Sequence, residues 1–182
     1  GLTIAAPMNE PELRNMMYTA LGSGHPFMIR YPRGHGEGLP WRGEKFETLP
    51  VGRGRRLREG ADVALLTVGT VGNAAARAAG RAAAEGVSVA HYDLRFVKPL
   101  DEALLDEVGR KFRRVVTVED GSLRGGVGEA VAAFFNGRGY DVRVQRLGIG
   151  DEWVEHGTPG QLYALCGYDE EGILRALLDT RA

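Results

Sequence analysis

The sequence predicts an α/β fold: an open, mostly parallel sheet with helices on both faces, preceded by a short β-α-β piece. From about residue 51, apolar strand-like runs alternate with helical patterns, at a spacing that favours parallel strands joined by helices. The strand-like runs are continuously apolar and rich in β-branched residues, which is typical of strands buried on both faces. We expect strands at 62–68, 87–93, 114–119 and 142–147, and helices at 71–85, 101–112, 126–137 and 169–179.

The first 35 residues predict one strand, one helix and a second strand. The first strand ends at Ala6, the helix continues to about Ala20, and the second strand covers 26–31. Two strands and one helix leave an apolar sheet face uncovered. We therefore interpret residues 1–35 as the end of a larger domain.

Three helix starts are marked by capping residues. Asn9 can accept a hydrogen bond from an early helix amide, and Asp101 stands directly before a helical pattern. The pair Thr158-Pro159 places proline in the first turn of a further helix. These signals support the order of elements given above.

Residues 36–50 predict a linker, because glycine, proline and polar residues interrupt any regular pattern. A second domain is then expected over 51–182, with an additional edge strand near 52–57. We interpret the basic run at its start as a solvated strand or turn; it contains Arg53, Arg55, Arg56 and Arg58.

Composition limits the classes of function. The 182 residues carry 23 Lys+Arg against 24 Asp+Glu, a formal net charge of -1, which gives no overall field for binding nucleic acid or a membrane surface. Cys166 is the single cysteine, so an intrachain disulfide and a cysteine-based metal site are excluded, and a cytoplasmic location is expected. The chain begins at Gly1 and enters a strand at once, which favours a fragment of a longer protein.

The segment Arg30-Tyr31-Pro32-Arg33-Gly34 is a candidate phosphate-binding turn. It closes an apolar run, and its two guanidiniums stay charged and match phosphate oxygens bidentately. Pro32 fixes one backbone angle and limits how far the two side chains diverge. The alternative is that Arg30 is a buried structural arginine and Arg33 a solvated turn residue.

Three loops follow expected strands, at the sheet edge where open α/β folds bind ligands. The turn at 69–72 has amides that could face an anion, or it is a tight turn alone. The acidic, glycine-rich loop at 119–128 superficially resembles a dinucleotide loop but lacks the Gly-x-Gly-x-x-Gly spacing, so close packing is an equal explanation. In the loop 155–159, His156 could exchange protons, but a structural or interface histidine is the simpler interpretation.

Several ordered motifs together resemble transketolase-like thiamine-diphosphate enzymes. The strand end Asp93-Leu94-Arg95 followed by Lys98-Pro99-Leu100-Asp101 is similar to a segment of their C-terminal domain. The resemblance covers essentially the whole chain and extends to Ile4-Ala5-Ala6-Pro7, Glu12-Leu13-Arg14, Met17-Tyr18-Thr19, Arg30-Tyr31-Pro32-Arg33-Gly34, Thr117-Val118-Glu119-Asp120-Gly121 and Glu155-His156-Gly157.

This resemblance implies a function. It is strongest to the branch of the family that condenses pyruvate with D-glyceraldehyde 3-phosphate, with loss of CO2, for isoprenoid, thiamine and pyridoxal precursor synthesis. It implies that 1–35 end the pyrimidine-binding domain and that 51–182 form the transketolase C-terminal domain. Arg33 then corresponds to the phosphate-binding arginine of the acceptor site, and Arg30 has a supporting role. The expected cofactors of the full-length enzyme are thiamine diphosphate and Mg, and the expected assembly is a homodimer.

The family motifs that hold magnesium and the cofactor's diphosphate do not occur in this chain, nor does the cofactor-activating glutamate. We therefore expect no catalytic, cofactor-binding or metal-binding residue here, and no turnover by the isolated chain. Two alternatives remain open at this point. One is another thiamine-diphosphate enzyme, either a transketolase or the β-subunit of a 2-oxo acid dehydrogenase. The other is a noncatalytic dimerisation module.

Overall fold

The computed structural model describes residues 1–43 and 45–179 of the chain. Eight strands and six helices are formed within these ranges. In chain order they are β1 Thr3–Ala5, α1 Glu10–Gly22, β2 Phe27–Ile29, β3 Arg55–Arg58, β4 Val63–Val68, α2 Val71–Ala84, β5 Val89–Asp93, β6 Phe96–Lys98, α3 Glu102–Lys111, β7 Arg114–Ser122, α4 Val127–Gly137, β8 Arg143–Ile149, α5 Pro159–Leu165 and α6 Glu170–Leu178.

The main sheet has five strands in the order β3-β5-β4-β7-β8. Strands β5, β4, β7 and β8 run parallel, and only the edge strand β3 is antiparallel to its neighbour. Strand β4 is buried along its whole length, as its continuous run of apolar residues predicts. The predicted fold class, an open and mostly parallel sheet, is confirmed.

Helices cover both faces of this sheet. On one face, Leu105 of α3 and Phe135 of α4 pack into a single buried cluster with the sheet residues. On the other face, the alanines of α2 pack against Ile173 and Leu177 of α6. The small side chains of α2 let that helix approach the sheet and α6 closely. Within the described residues, no helix is both long and apolar enough to cross a lipid bilayer.

A second, three-stranded sheet combines two strands that precede the linker with one strand that follows it. Its order is β2-β1-β6, with β1 parallel to β2 and antiparallel to β6. Strand β6 is not predicted from the sequence, because three residues give no periodic pattern and their strand geometry depends on pairing with the distant β1. Phe96 of β6 is fully buried in a small core with Ala5 and Met16. The β-α-β piece is therefore completed by a strand that follows the linker in sequence.

A buried ion network reinforces this junction. Glu12 of α1 is 5% exposed and accepts hydrogen bonds from Arg95, and its carboxylate also lies 2.9 Å from the guanidinium of Arg55. Arg55 in turn donates to the carboxylate of Asp93, at 3.2 Å. The interpretation of the basic run as solvated is thus wrong for Arg55, because two buried carboxylates hold its guanidinium.

The predicted helix caps are found. The side chain of Asn9 accepts from the amide of Glu12 at 3.1 Å, and that of Asp101 accepts from the amide of Leu104 at 3.1 Å. Thr158 forms a reciprocal capping box at the start of α5. Strand boundaries differ more from expectation: β7 extends to Ser122, so the first four residues of the acidic, glycine-rich loop, 119–122, belong to the sheet.

Candidate functional site

The candidate site lies where the connections of the main sheet reverse direction. From the central strand β4 the chain leads to β5 on one side, whereas β7 lies on the other side. Open α/β sheets form a crevice at such a point, outside the carboxyl ends of the strands. A cavity of about 210 Å³ opens there, lined by Gly69 and Thr70 after β4, by Asp120 of β7, and by Arg30.

Arg30 reaches this crevice from the small sheet. Its backbone amide continues the pairing of β2 by donating to the carbonyl of Ala5 at 2.8 Å. Its guanidinium Nη2 donates to the backbone carbonyl of Asp120 at 2.6 Å. The guanidinium lies directly beside Gly121, since a Cβ there would be in ordinary van der Waals contact with Nη1 of Arg30, at 3.4 Å. The contact holds the turn that follows β2 against the end of β7.

Arg33 lines a second cavity, of about 540 Å³, on the other side of the same turn. Tyr31, Pro32 and Thr70 line both cavities, so the two are neighbours. The structure therefore places the two arginines of the motif in adjacent cavities and does not bring both into one. Within residues 1–43 and 45–179, the exposed guanidinium of Arg33 forms no ion pair or hydrogen bond, which leaves its donors available to an anion.

Two carboxylates also line the second cavity, and both have partners. Glu10 accepts from the amide of Gly38 at 2.7 Å, and backbone hydrogen bonds, first that of its own amide, hold the pKa of Glu10 below its usual value. Glu37 lies 3.9 Å from the guanidinium of Arg77. The negative charges near Arg33 are thus partly compensated by local donors.

The turn at 69–72 joins β4 to α2. Gly69 has a φ of 80°, a conformation that glycine adopts without strain. The amides of Gly72 and Asn73 donate to the carbonyls of Gly69 and Thr70, so these two donors are already used within the turn. Thr70 makes no side-chain cap and lines both cavities. Of the two interpretations of this segment, the tight turn is the one that the contacts favour.

The glycine-rich loop before α4 is filled by a protein carboxylate. Glu119 is 5% exposed, and its two oxygens accept from the amides of Val127 and Gly128 at 2.9 and 2.8 Å. A Cβ on Gly126 would lie 2.2 Å from the carbonyl oxygen of Ser122. The glycines therefore permit close packing, and the helix terminus that a dinucleotide phosphate would use already holds an anion.

His156 lies in an exposed loop ahead of the capping box of α5. It lines neither of the two cavities beside the arginine turn. The conformation of this loop is set by Thr158 and Gln161, whose side chains bond to each other's backbone amides. A structural role for this segment thus accounts for the contacts observed.

Sequence reasoning missed a cluster of two tyrosines around Asp120. The hydroxyls of Tyr163 and Tyr168 donate to the two carboxylate oxygens of Asp120 at 3.1 and 2.9 Å. Burial, together with the charge of Asp120, raises the pKa of Tyr163 to about 12 and raises the pKa of Tyr168 further. More than 40 residues separate the partners, so no local pattern reveals the contact; the only signal was an acidic residue at a strand end.

Magnesium and a diphosphate would need a cluster of oxygen ligands. In the part of the chain that the structure describes, no three His, Cys, Asp or Glu side chains are grouped so that they could hold a metal ion. Within that part, Asp120 already accepts from two tyrosines and Glu119 from two amides. These residues do not fit a magnesium diphosphate group.

Comparison with known proteins finds a matching family and a similar solved structure. Residues 52–173 match the family described as "Transketolase, C-terminal domain". A solved structure titled "Split gene transketolase, inactive beta4 tetramer" superposes with a TM-score of 0.83 at 29% identity, covering 97% of this chain and 56% of that one.

Curated relatives extend the similarity over the whole chain. The 1-deoxy-D-xylulose-5-phosphate synthase of Bacteroides fragilis is 54% identical over 100% of this chain, and that of Symbiobacterium thermophilum is 43% identical over 95%. The matched region is 28% and 26% of those proteins. The chain thus spans little more than a quarter of the length of these relatives.

Proposed function

The chain belongs to the transketolase C-terminal domain family, and on that premise we propose that it is the C-terminal part of a 1-deoxy-D-xylulose-5-phosphate synthase. The observation that carries this proposal is the 54% identity to one such synthase across the entire chain, including the arginine turn outside the family match. The transketolase neighbour is 29% identical, so the synthase is the better-supported relative within the family.

The proposed reaction joins two three-carbon substrates. Pyruvate loses CO2, and its remaining two carbons are added to the aldehyde of D-glyceraldehyde 3-phosphate, which gives a five-carbon 1-deoxy sugar phosphate for isoprenoid, thiamine and pyridoxal precursors. Thiamine diphosphate, when bound, supplies the carbon-carbon chemistry of such a reaction. Since the described residues do not fit the magnesium diphosphate group, we assign its binding to other parts of the full-length protein.

The part of this chain in the reaction is placement of the acceptor. Arg33 presents an exposed guanidinium that has no ion-pair or hydrogen-bond partner among residues 1–43 and 45–179, beside a cavity of about 540 Å³. We assign it to the phosphate of D-glyceraldehyde 3-phosphate. Arg30 is bonded to the carbonyl of Asp120 and holds the turn that carries Arg33. A fixed phosphate keeps the aldehyde in one position, which lowers the entropic part of the barrier.

Three further properties belong to the same proposal. Mg accompanies the cofactor, and the full-length enzyme is a homodimer; both rest on the resemblance to the family. A cytoplasmic location rests on the single cysteine, Cys166, because disulfides are the usual mark of an oxidising compartment.

The test is an activity assay on the full-length protein that carries this chain, with pyruvate, D-glyceraldehyde 3-phosphate, thiamine diphosphate and magnesium. We expect release of CO2 in step with formation of the five-carbon product, and no turnover by the 182-residue chain alone. Transfer of a two-carbon unit from a ketose phosphate, without use of pyruvate, would identify a transketolase instead. Absence of every such activity in the full-length protein would favour a noncatalytic dimerisation module.

A further inference from the structure

The turn that carries Arg30 and Arg33 is bonded to Asp120, and the side chain of Asp120 is bonded in turn to two tyrosines. Asp120 lies near the end of β7, and its backbone carbonyl accepts from Nη2 of Arg30 at 2.6 Å. The side chain of Asp120 has different partners: its two carboxylate oxygens accept from the hydroxyls of Tyr163 and Tyr168. One residue thus connects the arginine turn to α5 and the segment after it.

The two tyrosines form a compact unit. Their ring centroids are 5.0 Å apart with an angle of 41° between the planes, and Tyr168 is only 2% exposed. Tyr163 lies in α5 and Tyr168 lies two residues before α6, and the amide of Tyr168 donates to the carbonyl of Tyr163 at 3.0 Å. A carboxylate with two such donors has one preferred orientation, and the peptide group attached to it is fixed with it.

The same region leaves Arg30 little freedom to find another partner. The guanidinium lies directly beside Gly121, where a Cβ would be in ordinary van der Waals contact with Nη1, at 3.4 Å. Tyr31 and Pro32 follow Arg30 directly and line both cavities, and Pro32 has a fixed φ. A displacement of the Asp120 carbonyl would therefore be passed along a short, stiff turn to Arg33.

We propose that Tyr163 and Tyr168 are positioning residues for acceptor binding, acting through Asp120 and Arg30 on the guanidinium of Arg33. The inference rests on the proposed function, because it assigns a role to the same phosphate site. Both tyrosines also line the cavity of about 540 Å³ that Arg33 lines, and their hydroxyls are bonded to Asp120. Their removal should weaken recognition of the phosphate group and leave the reacting carbon atoms unaffected.

The experiment uses Tyr168→Phe and the double variant Tyr163→Phe/Tyr168→Phe in the full-length protein. The two acceptors compared are D-glyceraldehyde 3-phosphate and D-glyceraldehyde, which lacks the phosphate. We expect the KM for D-glyceraldehyde 3-phosphate to rise about 5-fold in the single variant and about 25-fold in the double variant, as for the loss of one and two net hydrogen bonds. The kcat, the KM for pyruvate, and kcat/KM for D-glyceraldehyde should each stay within about 2-fold.

Tyr140→Phe is the matched control. Its hydroxyl donates to the carboxylate of Asp106 at 2.8 Å, on the face of the sheet covered by α3 and α4. This variant loses the same kind of hydrogen bond on the opposite face of the main sheet from Tyr163 and Tyr168, so both acceptors should be used as by the parent protein.

The outcomes separate the inference from the proposed function. A rise in KM confined to the phosphorylated acceptor and to the Tyr163 and Tyr168 variants supports the inference. An unchanged KM, an equal loss for both acceptors, or an equal effect in Tyr140→Phe refutes it and leaves the synthase assignment intact. A parent protein without synthase activity refutes the proposed function and, with it, the inference.

Discussion

Arg95 holds the carboxylate of Glu12 with two parallel hydrogen bonds, from Nε at 2.9 Å and from Nη2 at 2.8 Å. Glu12 belongs to α1, before the linker, and Arg95 follows β5 in the second half of the chain. Both side chains are largely buried, at 7% and 13% exposure. A charge left alone in such a place is costly, because water no longer compensates for it.

We therefore predict that Glu12→Gln destabilises the chain strongly. Loss of the carboxylate removes the hydrogen-bonded ion-pair partner of the buried Arg95 guanidinium, for which a cost of about 3 kcal/mol in the free energy of unfolding is typical. Urea unfolding measures this directly. The matched control is Asp151→Asn, which removes a carboxylate from an ion pair with Arg124 that is 68% and 78% exposed. That change should cost less than about 1 kcal/mol, and equal costs would contradict the prediction.

The phosphate assignment predicts a selective effect of Arg33→Ala in the full-length protein. Loss of a charge-assisted contact of about 1.5 to 3 kcal/mol should raise the KM for D-glyceraldehyde 3-phosphate roughly 10- to 100-fold. The kcat/KM for unphosphorylated D-glyceraldehyde should stay the same. Steady-state kinetics with both acceptors provides the measurement.

Arg42→Ala is the control for this charge change. Arg42 lies in the linker, with its guanidinium 4.9 Å from the ring centre of Trp41. The Arg42→Ala substitution removes one positive charge from the same stretch of chain, and the KM for D-glyceraldehyde 3-phosphate should not change. Equal losses in both variants would show that net charge, and not the site of Arg33, governs acceptor binding.

Acid should destabilise the fold through His91. Burial, and secondly the charge of Arg55, lowers the pKa of His91 to about 4, whereas an exposed histidine titrates near 6.5. The unfolded chain then binds more protons than the folded chain between these pH values, so the free energy of unfolding falls as pH falls through that window. Asp93 acts in the opposite direction, because burial raises its pKa from 3.8 to about 6, and the folded state binds the extra proton there.

The variant His91→Gln separates the two contributions, because it retains Asp93. The amide can also bond to the hydroxyl of Thr67, which now lies 2.9 Å from the imidazole. We expect the variant to be less stable than the parent at pH 7 and to lose less stability between pH 6.5 and 4. Urea unfolding of both proteins at several pH values tests this. If the difference in stability between variant and parent does not change with pH, His91 is not the source of the acid sensitivity.

Two glycines inside helices should respond oppositely to alanine. At Gly80 in α2 a Cβ would meet no atom within 4 Å, so Gly80→Ala should raise the free energy of unfolding by about 1 kcal/mol. At Gly109 in α3 a Cβ would lie 2.7 Å from the ring of Tyr140, which is fixed by Asp106. Gly109→Ala should therefore lower the free energy of unfolding by about 1 to 3 kcal/mol. Thermal unfolding measures both variants, and a change of the same sign in the two would contradict the prediction.

Much of the main sheet could be predicted because its strands are long and apolar. The run 62–68 contains β4 with a difference of one residue, and the caps at Asn9 and Asp101 follow from side-chain chemistry alone. Strand β6 and the environment of Arg55 could not be predicted in this way. Both depend on partners far along the chain, and local patterns carry no information about those contacts.

The candidate site divides along the same line. The two arginines around Pro32 are evident in the sequence, and so are their two possible roles, phosphate binding and a structural role. The role of Arg33 as a phosphate ligand stays a prediction. The contact of Tyr163 and Tyr168 with Asp120 could not be predicted, because more than 40 residues separate the partners along the chain.

The pairing of β1 with β6 bears on how the molecule can be divided. A chain cut at residue 51 would keep the whole five-stranded sheet but lose β1 and α1. It would expose Phe96, now fully buried, on a strand with an unpaired edge, which is a common origin of self-association. It would also strip Arg95 of its buried counter-ion. The composition of the linker suggests a domain boundary there, but recombinant protein that begins at residue 51 should aggregate.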